Sequence, residues 1–231
     1  MAIKYETIFF DLDRTIWDFE ANAKDSFKDM YLKYKLASEI PSFEYFYTTY
    51  RQHNDKLWKN YREKKITKEK LSWYRFFLTL LDFDVDNPEL AQKLGVDYLK
   101  ISQTKQQLFP YTHEVLSYLK GKYTMHIITN GFEEVQFSKL TNCKLNQYFS
   151  KIITSEKAGF QKPKPEIFNY ALEYTNARVE TSIMIGDDME VDIKGAKGVG
   201  MDQVHFNFIE RQYDSKATFN ITSLLELKDF L

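Results

Sequence analysis

Cysteine is almost absent from this chain: Cys143 stands alone among 231 residues. No internal disulfide can form, which suits a reducing compartment, and the cytoplasm is the expected setting. Glycine is missing from the first 94 residues, with all eight glycines at or after Gly95, so two regions with different turn chemistry are expected. Charge of one sign is not in excess. Lys plus Arg number 32 against 33 Asp plus Glu, which argues against disorder and against a general nucleic-acid binder, whose phosphate contacts need a basic surplus. No run approaches the roughly 18 consecutive apolar residues of a membrane-spanning helix, and no membrane partner is expected. The opening Met1-Ala2-Ile3-Lys4-Tyr5-Glu6 carries an acid and no long apolar stretch, so no secretory signal is read there. A Gly-x4-Gly-Lys-Ser/Thr loop is also lacking, which disfavours a P-loop nucleotide site.

What is present is enough apolar residue, 43% of the chain, for one domain with a large insertion or for two domains. From about Asp18 to about Lys105 apolar residues recur at helical spacing, as in Phe27, Met30, Tyr31 and Tyr34, or Leu71, Tyr74, Phe77, Leu78 and Leu81. A bundle of about four helices is predicted there, with breaks at Ile40-Pro41-Ser42, before Thr67, and at Asp82 to Pro88, where Asp86 is the candidate cap. From Pro110 helices alternate with apolar runs at Met125 to Thr129, Lys151 to Thr154, Ser182 to Gly186 and Gln203 to Phe206. Such alternation means right-handed crossovers and a parallel sheet. The early run Thr7 to Phe10 has no partner among the helices and should join that sheet. The fold class is therefore α/β: a Rossmann-like parallel sheet core from residues 1–16 and 106–231, with a helical domain, 17–105, inserted after the first strand.

Ligands of an open parallel sheet bind beyond the carboxyl ends of its strands, and those ends are unusually polar here. They carry Asp11-Leu12-Asp13-Arg14-Thr15, then Thr129-Asn130-Gly131, then Gly159-Phe160-Gln161-Lys162-Pro163, then Gly186-Asp187-Asp188 with Asp192 beyond. Carboxylates, a hydroxyl and an ammonium should converge on one rim. Crowded carboxylates repel unless a cation neutralises them, and hard oxygen ligands suit Mg2+. Each segment alone has a plainer reading: a strand-end turn with a cap for Asp11 and Asp13, a tight turn at Asn130-Gly131, a solvated loop lysine at Lys162, a helix cap at Asp187-Asp188. The chain supplies its own control in Asp82-Phe83-Asp84-Val85-Asp86, which follows a helical pattern and reads as a solvated turn. The run Gly195 to Gly200 has the wrong spacing for a dinucleotide site and reads as a helix end. The order and placement of four segments together shift the balance toward a site.

Phe9-Phe10-Asp11-Leu12-Asp13-Arg14-Thr15, Ile127-Ile128-Thr129-Asn130-Gly131, Lys162-Pro163-Lys164-Pro165-Glu166-Ile167-Phe168 and Ile185-Gly186-Asp187-Asp188-Met189-Glu190-Val191-Asp192-Ile193 resemble the four motifs of the haloacid dehalogenase superfamily. The resemblance implies that the helical insertion is a cap closing over small soluble substrates. It implies a phosphatase in which Asp11 is the nucleophile and forms an aspartyl phosphate, while Asp13 protonates the leaving oxygen and later deprotonates water. Mg2+ would be held by Asp11, the carbonyl of Asp13 and Asp187, with Thr129, the Asn130 amide and Lys162 on the phosphoryl oxygens and Gly131 in the same loop. Asp192, or alternatively Asp188, would orient Lys162 or a metal-bound water. Asp13 disfavours the dehalogenase branch, which needs no leaving-group acid. Arg14, where most relatives have glycine, together with Trp17-Asp18-Phe19, Leu57-Trp58 and Ser155 to Pro163, is similar to pyrimidine 5'-nucleotidases. The implied partner is then a small phosphorylated metabolite, a nucleoside 5'-monophosphate in the first place, with Trp17 as the candidate base contact. A sugar-phosphate phosphatase or phosphomutase, or a noncatalytic phospho-ligand binder, are the alternatives.

Overall fold

A computed structural model describes residues 4–209 and 216–231. The chain divides into two compact units, Met1–Phe19 with Gln106–Leu231, and Glu20–Lys105. Residues 17 to 19, expected to open the helical segment, fall in the first unit because their backbone is tied there. The Asp18 N–H donates to the Gln107 carbonyl at 3.1 Å, and the Phe109 N–H to the Ile16 carbonyl at 3.0 Å.

The first unit is built on β1 (Thr7–Phe10), β2 (Thr124–Thr129), β3 (Lys151–Thr154), β4 (Ser182–Gly186), β5 (Asp202–Phe206) and β6 (Phe219–Ile221). All pairings are parallel, in the order β3-β2-β1-β4-β5-β6. The sixth strand lies outside the runs read from sequence, since at three residues it is too short to show alternation. Strand residues are apolar on both faces because helices cover both. Ile8, Phe10, Ile127, Ile183 and Val204 pack into one core layer, and Phe9, Ile128, Ile153 and Met184 into the other, the period-2 alternation of a pleated strand. Each such side chain contributes about 1.5–3 kcal/mol relative to exposure. The first layer takes Val115, Leu116 and Leu119 of α5 (Thr112–Leu119) and Leu140 of α6 (Glu133–Asn142). The second takes Ile167, Phe168 and Ala171 of α8 (Pro165–Thr175) and Ala196 of α9 (Lys194–Gly198); the short α7 is Ser155–Ala158.

The helical unit comprises α2 (Phe43–Arg62), α3 (Lys68–Leu81), α4 (Pro88–Ser102) and most of α1 (Phe19–Lys33). Ser42 and Thr67 cap α2 and α3 at the expected breaks. The cap of α4 is Asn87, not Asp86: its side chain accepts from the Leu90 N–H at 2.9 Å, and Pro88 follows at the first helical position. Phe27 is the hub, its ring 4.2 Å from that of Tyr50 and within 5.7 Å of those of Phe46, Tyr47, Phe76 and Tyr98. Among the described residues no helix is long and apolar enough to cross a membrane.

Candidate active site at the carboxyl edge of the sheet

β1 lies at the centre of the sheet, hydrogen-bonded to β2 on one side and β4 on the other. Asp11 is the first residue past β1, yet its N–H still donates to the Ile185 carbonyl of β4 at 2.9 Å. The sheet itself therefore fixes the backbone of the candidate nucleophile. The chain then turns tightly, with the Ile16 and Trp17 N–H groups donating to the Leu12 carbonyl and the Arg14 N–H to the Trp17 carbonyl. Arg14 carries φ of +66°, a left-handed conformation that glycine adopts freely and other residues at a cost of about 1–2 kcal/mol. Its guanidinium stacks over the Phe19 ring, 4.4 Å from the centroid.

Lys162 is buried and all three of its ammonium hydrogens are spent. They go to Asp11 Oδ1 at 2.6 Å, Asp192 Oδ1 at 2.7 Å and the Ile128 carbonyl at 2.8 Å. The loop that delivers it is clamped by Asn130, whose Oδ1 accepts from the Lys162 N–H at 2.8 Å and whose Nδ2 donates to the Lys162 carbonyl at 2.9 Å. The peptide bond from Lys162 to Pro163 is cis. Asp192 is the residue that orients Lys162. Asp188 does the other work, capping the next turn by accepting from the Glu190 and Val191 N–H groups. That turn is π-type, with the Ile193 N–H reaching back to the Asp188 carbonyl, and it rotates Asp192 inward against Gly186. A Cβ on Gly186 would sit 2.4 Å from Asp192 Oδ2, so any larger residue there would have to displace Asp192.

Carboxylate oxygens of Asp11, Asp187 and Asp192 lie within 4.8 Å of one another. Burial pushes Asp11 up to about 7, with Lys162 opposing and Asp192 and Asp13 adding repulsion. Asp187 is held well above the usual carboxylate range, first by removal from water and then by Asp192 and Asp11, while Arg14 pulls the other way. Asp192 is raised by burial against the pull of Lys162. For Lys162 burial alone would lower the ammonium, but Asp11 and Asp192 more than reverse that. Once ionised, three carboxylates against the Lys162 ammonium leave an excess of negative charge, a donor set that fits a divalent cation with oxygen preference. Asp13's carboxylate stands outside this cluster.

The hydroxyl of Thr129 has a defined role. Its oxygen accepts from the Gly131 N–H at 3.0 Å and from Gln136 Nε2 at 2.9 Å. With both lone pairs filled, the remaining capacity of Thr129 is to donate. Gly131 must be glycine for this, since a Cβ there would lie 1.8 Å from Gln136 Nε2. The Gln136 Nε2 and the Lys139 ammonium, both from α6, also hold the two oxygens of Asp13.

Trp17, the candidate base contact, is 1% exposed and lies in the core of the α/β unit. Lys162, the Asn130 side chain and the Gly131 N–H all stand at this edge of the sheet, each hydrogen-bonded within the protein. Gln136 and Lys139 were missed. Their only sequence signal is that they sit in the same helical stripe as the buried Val135 and Leu140.

The model of the haloacid dehalogenase-like hydrolases matches residues 8–206. The HAD-hydrolase YfnB of Bacillus subtilis is 30% identical over 88% of this chain and 85% of its own. Its magnesium-bound crystal structure superposes with a TM-score of 0.89 at 29% identity, covering 98% of both chains. The pyrimidine 5'-nucleotidase PynA of Streptococcus pneumoniae is 29% identical over 98% of this chain and 95% of its own. A glyceraldehyde 3-phosphate phosphatase of Methanothermobacter thermautotrophicus is 30% identical over 98% and 99%. Fold, site order and family match agree, and the chain belongs to the haloacid dehalogenase-like hydrolases.

Proposed function

We propose that the protein is a Mg2+-dependent phosphomonoesterase that works through an aspartyl phosphate on Asp11, with nucleoside 5'-monophosphates as substrates. The observation that carries the reading is the setting of Asp11: one oxygen is clamped by Lys162 while the carboxylate belongs to a buried cluster with Asp187 and Asp192. Asp11 and Asp187, with the Asp13 carbonyl, would hold Mg2+, which when bound neutralises charge between the carboxylate and an incoming phosphate. The Lys162 contact leaves the second Asp11 oxygen to attack phosphorus. Thr129 donates to a phosphoryl oxygen, where negative charge must be held. Asp13 moves protons at the ester oxygen and at the water that follows. An acid carries its proton on one of two oxygens, so Asp13 has to turn from one of its donors for that step. The helical unit is the proposed cap.

With Trp17 in the core, nucleotide specificity is supported by similarity to PynA, and the glyceraldehyde 3-phosphate phosphatase supports the sugar-phosphate alternative. The test is kcat/KM with Mg2+ for a pyrimidine nucleoside 5'-monophosphate against glyceraldehyde 3-phosphate. A preference for the nucleotide of about tenfold or more is expected; the reverse order would transfer the protein to the alternative. EDTA should stop the reaction and Mg2+ restore it.

Cation binding should also be pH-dependent. Asp11 rises from 3.8 to about 7. Between those values the folded chain keeps a proton that the unfolded chain has released, and metal-free stability therefore falls as pH rises through that window. Binding needs the same carboxylates ionised. Mg2+ is thus expected to raise the melting temperature more at pH 8 than at pH 5. Equal shifts at both would remove the cluster as the cation site.

A further inference from the structure

No motif falls within α6, yet it sends two polar side chains into the site. Gln136 and Lys139 are three residues apart, one helical turn, with exposures of 0% and 5%. A buried lysine is costly without a counter-charge. Lys139 finds one in Asp13 Oδ1, and its Nζ stands 3.9 Å from the centroid of the Trp17 ring, whose π face favours a cation. Trp17 is fixed in turn by the core and by Phe19, edge-on at 6.2 Å. Gln136 Nε2 donates to Asp13 Oδ2 at 2.7 Å and to Thr129 Oγ1 at 2.9 Å. Its amide cannot be reversed, because the carbonyl oxygen would then face a carboxylate. One face of α6 thus holds both oxygens of Asp13 and fills the last lone pair of Thr129.

We propose that Gln136 and Lys139, with Trp17 as the plate beneath Lys139, are positioning residues that set Asp13 against the ester oxygen and turn the Thr129 hydroxyl outward as a donor. This rests on the phosphatase reading, which gives Asp13 the proton-transfer role. Neither side chain holds phosphate, so their loss falls on kcat rather than KM. The loss is largest where the leaving oxygen most needs a proton.

The experiment measures kcat and KM on para-nitrophenyl phosphate and on an alkyl phosphate for the wild type, Lys139→Met, Lys139→Arg, Asp13→Asn and the Asp13→Asn, Lys139→Met double variant. Methionine keeps an unbranched stem over Trp17 and removes only the charge. On the alkyl ester Lys139→Met should lose about 10- to 100-fold in kcat, with a smaller loss on the nitrophenyl ester and KM within about threefold of wild type on both. Lys139→Arg should recover most of the rate, and Lys139→Met should add little in the Asp13→Asn background. Unchanged kcat, equal losses on both esters, or a full-sized loss without Asp13 would overturn the positioning role. If Lys139→Met does not fold, Lys139→Gln is held to the same leaving-group pattern and the same outcomes. A wild type that hydrolyses neither ester overturns the phosphatase reading itself. An active wild type with indifferent α6 variants overturns only this inference.

Discussion

Asp11→Asn is expected to lower phosphatase turnover by about three orders of magnitude or more, on good and poor leaving groups alike, because it removes the nucleophile from the reaction. The fold should survive. The amide has nearly the volume of the carboxylate, its oxygen can still accept from Lys162, and Asp192 continues to balance that ammonium. Burial pushes the wild-type carboxyl up to about 7, so a neutral group at this position relieves a charge the site holds at a cost. Metal-free Asp11→Asn should therefore melt within a few degrees of wild type at pH 8, by circular dichroism. Turnover above about 1% of wild type would remove Asp11 from the covalent role.

Lys162→Met should produce the largest loss of stability of any single change in the site. The ammonium is 1% exposed and pairs with two carboxylates that are themselves buried. Removing one partner of a buried ionic cluster leaves uncompensated charge, at a typical cost of about 3–5 kcal/mol. Asp11 and Asp192 can escape part of it by holding protons, since both are already raised. The deficit should consequently grow between pH 5 and pH 8 and shrink when Mg2+ is added as a replacement cation. Urea denaturation at the two pH values measures this; a variant as stable as wild type at pH 8 without metal would show that the cluster is not held by Lys162.

The sheet and the polar rim at its carboxyl edge were legible because β1, β2 and β4 are short apolar runs that lead into polar residues. Asp11, Thr129 and Asp187 follow or close β1, β2 and β4 in the way a parallel sheet presents ligands. The burial of Trp17 was not legible, because nearness to Asp13 in the chain carries no information about direction. Gln136 and Lys139 were hidden for a different reason. They lie inside an ordinary helix, and a polar residue in a buried stripe shows its purpose only once its partners, Asp13 and Thr129, are seen across the sheet edge. Asp192 and Asp188 could not be told apart from spacing alone, because the π-type turn between them sets which one faces Lys162. Strand β6 is too short to carry a pattern.

The central claim is a phosphoryl group carried on Asp11. Mixing enzyme, Mg2+ and a 32P-labelled nucleoside 5'-monophosphate, quenching in acid within the first turnover, and mapping the label by proteolysis and mass spectrometry tests it most directly. The expected result is hydroxylamine-labile label on the peptide containing Asp11, missing from Asp11→Asn. Product release in a full burst with no label on the protein, or label on any residue other than Asp11, would contradict the account.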